Sequence, residues 1–122
     1  MTKKIIIIDD EIEILKVLET FLKRSEKFEI TTFLEPRKGL QDLKSNKYDL
    51  ILLDIMMPDM SGMDVLAEIK NIQPEMKTIM MTAYSTIEKV IECKRLGADD
   101  YVTKPFVSLR DVENKILDNL GL

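Results

Sequence analysis

Asp9, Asp10, Asp54, Thr82 and Lys104 are the side chains of this 122-residue chain whose types and placement could do chemistry together. Asp9-Asp10 follows the apolar run Ile5–Ile8, Asp54 follows Leu50–Leu53, Thr82 follows Thr78–Met81, and Lys104-Pro105 comes just past Tyr101-Val102. If those runs are parallel strands, all five side chains reach one edge of a sheet. Three carboxylates gathered there repel one another and need a compensating cation. A hard divalent ion with oxygen ligands, most naturally Mg²⁺ with Mn²⁺ as the alternative, keeps waters and shares a phosphate oxygen in such a site. Lys104 would supply a point positive charge to a phosphoryl oxygen, and Thr82 a hydroxyl donor. Asp54 is then the carboxylate placed as nucleophile between metal and lysine. Phosphoryl transfer needs in-line positioning and charge neutralisation more than strong acid–base catalysis.

The absence of histidine narrows the chemistry further. Imidazole general-base catalysis, Ser-His and Cys-His dyads and His-ligated zinc are excluded. The single cysteine, Cys93, rules out a thiolate zinc site and an internal disulfide, and fits a reducing compartment. Taken one at a time, the candidate residues have plain structural readings. Asp10 could cap the first helix with Glu13 completing a capping box, Asp54 could be a turn aspartate, Thr82 a strand residue and Lys104 a solvated lysine. Their joint arrival at one edge is what favours a site.

The elements that must position them can be read from periodicity. Ile5–Ile8, Ile30–Phe33, Leu50–Leu53, Thr78–Met81 and Tyr101-Val102 read as strands. The first and third are apolar on both faces, as parallel strands covered by helices are. Between and after them, Ile14/Leu15/Leu18/Phe21/Leu22, Leu40/Leu43, Val65/Leu66/Ile69/Ile72, Ile87/Val90/Ile91 and Leu109/Val112/Ile116/Leu120 recur at helical spacing. Ser61 with Asp64 and Ser85 with Glu88 have capping-box spacing, Pro36 suits a first helical turn, and Gly97 a helix end. Gly39 lies inside the second helix and works against it. Five strands alternating with five helices predict one α/β domain over residues 1–122, a (βα)₅ unit with right-handed crossovers and helices on both faces of a parallel sheet. The chain stops with the fifth helix, so no output domain is expected within it.

Composition sets the remaining bounds. With 45% hydrophobic and 33% charged residues the chain can build a core and stay dissolved. A net charge of −4 and pI near 4.9 argue against direct nucleic-acid binding. No apolar run is long enough for a signal peptide or a membrane span, so a cytoplasmic location is expected.

The chain resembles the response-regulator receiver family of two-component signal transduction, which includes the chemotaxis-type regulators. The resemblance rests on Ile8-Asp9-Asp10-Glu11, Leu53-Asp54-Ile55-Met56-Met57-Pro58, Gly62, Met81-Thr82-Ala83-Tyr84, Leu96-Gly97-Ala98-Asp99-Asp100-Tyr101 and Lys104-Pro105-Phe106, in this order along essentially the whole chain. It implies a flavodoxin-like sheet in strand order 2-1-3-4-5, with Asp10 and Asp54 across the switch point. It implies Asp54 as phosphoacceptor in a Mg²⁺-dependent phosphorelay, with Asp10, Asp54 and the Met56 carbonyl on the metal and Asp9 joined through water. Thr82, Lys104 and the backbone amides near Met56 and Ala83 would hold the phosphoryl group, and Met56 and Tyr84 would tune its hydrolysis. A cis peptide at Lys104-Pro105 is implied as well. So is a switch in which Thr82 moves inward, Tyr101 follows, and the face of helix four, strand five and helix five repacks. Such a protein is not a conventional enzyme but catalyses its own phosphorylation and dephosphorylation. The donor would be a sensor histidine kinase or a histidine phosphotransfer protein, docking near Ile14 and Phe106. The receiver would act on a downstream output domain or effector.

Two rival readings use the same residues. Haloacid-dehalogenase-type phosphatases also use a nucleophilic Asp, a hydroxyl, a Lys and Mg²⁺. They place a second Asp two residues after the nucleophile, where this chain has Met56, and their nucleophile follows the first strand. A non-catalytic interaction module on the same fold is the other rival; the intact Asp/Thr/Lys set argues against it.

Overall fold

The computed structural model describes residues 2–83 and 87–122. Strands and helices alternate as β1 (Lys3–Ile8), α1 (Ile12–Lys23), β2 (Phe28–Phe33), α2 (Pro36–Leu43), β3 (Leu50–Asp54), α3 (Gly62–Ile72), β4 (Lys77–Ala83), α4 (Ile87–Arg95), β5 (Asp100–Lys104) and α5 (Leu109–Leu120). The five strands form one parallel sheet in the order β2-β1-β3-β4-β5. Neighbours β1 and β3 lie at its centre, where the strand order reverses.

Alternation along the central strands splits the core into two layers. Ile6, Ile8, Ile51 and Leu53 face Leu40 and Leu43 of α2, Val65, Leu66 and Ile69 of α3, and Val90 and Cys93 of α4. Ile5, Ile7, Leu50 and Leu52 face the other way, onto Leu15, Leu18 and Leu22 of α1 and Val112 and Ile116 of α5. Every residue of Ile5–Ile8 and Leu50–Leu53 is fully buried, so both central strands are fixed from two sides.

Local signals in the sequence set the helix ends. The Ser61 hydroxyl accepts the Asp64 N–H at 3.2 Å and the Ser108 hydroxyl that of Asp111 at 3.0 Å, capping α3 and α5. Pro36 opens α2. Gly97, at φ +107, follows α4 in a conformation that L side chains rarely adopt. Gly39 has a packing reason for sitting inside α2: a methyl there would run into the Ile8 side chain, so glycine lets the helix lie close on β1. The Ser85–Glu88 cap falls partly outside the described residues.

Candidate functional site

The carboxyl edge of the sheet collects the polar residues. β1 delivers Asp9 and Asp10, and Asp54 is the last residue of β3. Thr82 lies within β4 rather than after it, and Lys104 closes β5 rather than following it, since both strands run longer than periodicity suggested. Main-chain bonds extend the ladder beneath the site: the Asp9 N–H donates to the Phe33 carbonyl at 3.2 Å and the Ile55 N–H to the Met81 carbonyl at 3.1 Å.

Asp9, Asp10 and Asp54 each offer a carboxylate oxygen within 4.8 Å of the others. Asp9 is fully buried, Asp54 nearly so, and Asp10 is exposed. One Asp9 oxygen accepts the Glu11 N–H at 2.9 Å, which turns the chain out of β1. The structural alternative for Asp10 fails on geometry: α1 is N-capped at Glu11, with no side-chain capping bond. Lys104 Nζ lies 2.6 Å from Asp9 Oδ2, 3.4 Å from Asp54 Oδ1 and 3.8 Å from Glu11 Oε1. The Lys104–Pro105 peptide is cis. Thr82, almost wholly buried, directs its hydroxyl to the Ala83 carbonyl at 3.1 Å.

Charge balance at this edge is incomplete. Burial, then the neighbouring Asp9 carboxylate, pushes the Asp54 carboxyl up to about 7, although Lys104 pulls the other way. Burial also raises Asp9, against its hydrogen bond from Lys104. For Lys104, burial disfavours the ammonium, but the Asp9 hydrogen bond and the Asp54 and Asp9 charges outweigh it, so its pKa rises. One ammonium therefore does not neutralise three carboxylates. A hard divalent cation fits an all-oxygen set that is this crowded and this short of positive charge. Chemically, the arrangement can offer a carboxylate nucleophile beside a fixed cation and a hydroxyl, with Asp10 exposed to solvent.

Other candidates fall around this centre. Met56 is 52% exposed on the loop after β3. Tyr101 is half-buried, with Lys94 Nζ of α4 at 5.9 Å and Lys115 Nζ of α5 at 5.2 Å from its ring centroid. Ile14 and Phe106 are partly buried against the α1/α5 core layer. Tyr84 lies outside the described residues. Two participants escaped the sequence reading. Glu11 approaches Lys104, and Lys89 of α4 donates to the Met56 sulfur at 3.0 Å. Glu11 could have been found as the neighbour of Asp9-Asp10; no local signal marks Lys89, because α4 meets the β3–α3 loop only in the folded chain.

The family model of the response regulator receiver domain matches residues 5–116. Among solved structures, the CheY-like response regulator receiver domain protein from Methanospirillum hungatei is 34% identical, with a TM-score of 0.92 over 99% of this chain and 95% of that one. The response regulator DrrB of Thermotoga maritima, an OmpR/PhoB homologue, is 34% identical with a TM-score of 0.88; 99% of this chain matches 54% of that one. The BeF₃-activated DrrB receiver domain is 34% identical, with a TM-score of 0.89 over 100% of both chains.

Proposed function

The chain belongs to the response regulator receiver domain family of two-component systems, and from that premise we propose that it is a phosphoryl-accepting switch with Asp54 as the acceptor. The observation that carries this reading is Lys104 Nζ poised 2.6 Å from Asp9 and 3.4 Å from Asp54, the two buried members of a triple-carboxylate cluster. In the proposed step an Asp54 oxygen attacks phosphorus, an O–P bond forms, and the N–P bond of a phosphohistidine breaks. The leaving imidazole keeps the electron pair and takes a proton. Since the chain has no histidine, that donor is another protein or domain: a sensor histidine kinase or a histidine phosphotransfer protein.

Asp10, Asp54 and the Met56 carbonyl would hold Mg²⁺, with Asp9 reached through water. Bound there, the ion would supply charge neutralisation for phosphoryl transfer. Lys104 holds the phosphoryl group by charge and Thr82 by its hydroxyl, joined by the Met56 and Ala83 amides. Met56 and, as the family resemblance implies, Tyr84 would set how readily water reaches the acyl phosphate. Thr82, drawn toward the added charge, releases Tyr101 to repack against α4 and α5, a local charge change biasing a two-state surface. The protein is thus a substrate that assists its own phosphorylation and dephosphorylation, not a turnover enzyme. It works in the cytoplasm and reports to an output domain or effector. No described helix is long and apolar enough to cross a membrane.

Incubation with Mg²⁺ and acetyl phosphate, followed by intact-mass measurement, tests the reading. A single phosphoryl adduct in the native chain and none in Asp54→Asn is expected; no adduct in either protein rejects it.

A further inference from the structure

Two residues past Asp54, a side-chain contact joins α4 to the loop after β3. Lys89 Nζ donates to the Met56 Sδ at 3.0 Å. A thioether is a weak acceptor, whereas an ammonium carries three donors and seeks oxygen. The Met56 sulfur therefore parks this cation without satisfying it. Met56 stands two residues beyond Asp54, and Lys89 is the third residue of α4. The cluster beside them sets three carboxylates against the ammonium of Lys104, a surplus that a divalent cation would balance. A phosphoryl group on Asp54 would replace that carboxylate's single charge with up to two, leaving about one further negative charge that favours a second cation at the rim.

We propose that Lys89 is a second phosphoryl-binding cation, one that exchanges the Met56 sulfur for a phosphoryl oxygen. The inference rests on Asp54 as phosphoacceptor and adds to that reading a direct tie between the phosphoryl group and α4. Lys89 adjoins Val90, which is buried in the core, while Ile87 and Ile91 are each more than half exposed. A pull on Lys89 therefore turns the apolar edge formed by Ile87 and Ile91 rather than merely moving a loose side chain. The start of α4 thus responds to phosphorylation by a route independent of Tyr101.

Fluoroberyllate, a phosphoryl mimic, gives a test that does not depend on hydrolysis. Its affinity in the presence of Mg²⁺ is measured by ¹⁹F NMR for the native protein, Lys89→Met and Lys89→Arg, at low and at high salt. Lys89→Met should weaken binding about three- to thirty-fold, Lys89→Arg no more than about two-fold, and the gap should shrink as salt screens the contact. Without the mimic, all three proteins should share one thermal midpoint, since the sulfur contact contributes little to folding. Equal affinities, or equal losses in both variants, would overturn the role of Lys89 and leave Asp54 as acceptor untouched. No binding by the native protein would instead overturn the Asp54 reading on which it rests.

Discussion

Asp54 sits between opposing influences, and their balance makes its ionisation the most informative property of the site. Burial and the Asp9 charge raise its pKa from an ordinary 3.8 to about 7 despite Lys104. The folded chain then holds the Asp54 proton more tightly than the unfolded chain does. Stability from this group is therefore full below about pH 3.8 and is lost as pH rises to about 7. Above that pH the ionised carboxylate is a standing cost that a bound divalent cation would relieve. In chelator at pH 8, Asp54→Asn should be more stable than the native protein by about 1–2 kcal/mol, because it removes one of three crowded charges. Mg²⁺ should raise the native melting temperature by a few degrees and that of the variant much less. Melting curves from pH 5 to 9 check this; parallel pH profiles for the two proteins would refute it. The residue types at this site were legible in the sequence because each comes just past an apolar run. The Lys89–Met56 contact was not, since it joins segments with no shared local pattern. Cys93 is a simpler case. Buried in the core, with burial pushing its thiol up to about 11, it should resist thiol reagents until the protein unfolds.

Among the elements, the β3–α3 connection carries most of the geometric demand. Gly62 opens α3 with its N–H on the Ile55 carbonyl at 2.8 Å. A methyl group there would strike the Asp54 carbonyl oxygen and come within 2.8 Å of Ile55 Cα, both backbone atoms that cannot step aside. Gly62→Ala should therefore cost about 1–3 kcal/mol in denaturant unfolding. It should also slow adduct formation roughly tenfold or more by displacing the loop that carries Met56. Native stability and native phosphorylation in this variant would show that the loop is not the positioning device. At this scale the sequence was legible wherever side chains act locally, as at Ser61 and Pro36. It misled where tertiary packing decides. Gly39 argued against a second helix, yet close approach to Ile8 is what that helix needs. β4 and β5 extend past their apolar runs because pairs such as Thr82 with Thr103 and Ala83 with Lys104 continue the ladder into polar residues.

Across the whole molecule, the proposed switch would link the carboxyl edge of the sheet to the α4–β5–α5 surface. The sheet order followed from the family resemblance, not from periodicity, which is silent on which strands pair. Tyr101 is packed against the core layer between them, its ring flanked by Lys94 and Lys115. Lys115 also donates to the Tyr101 carbonyl at 2.9 Å and pairs with Asp100 at 3.4 Å. Burial raises the Asp100 carboxyl, but the Tyr101 N–H, Asn119 and Lys115 outweigh it and hold the pKa low. This network fixes α5 on β5 whether or not the ring moves. Tyr101→Ala should accordingly keep the phosphorylation rate within about two-fold while abolishing the phosphorylation-dependent change in hydrogen exchange along α5. An unchanged exchange response in that variant would remove Tyr101 from the relay.

We propose Asp54, and no other carboxylate of the cluster, as the carrier of the phosphoryl group. Borohydride reduction of the acyl phosphate, followed by peptide mass mapping, tests it most directly. Homoserine is expected at position 54 alone, formed only when Mg²⁺ and a phosphodonor are both present. Homoserine at position 9 or 10, or at no position under those conditions, would contradict it.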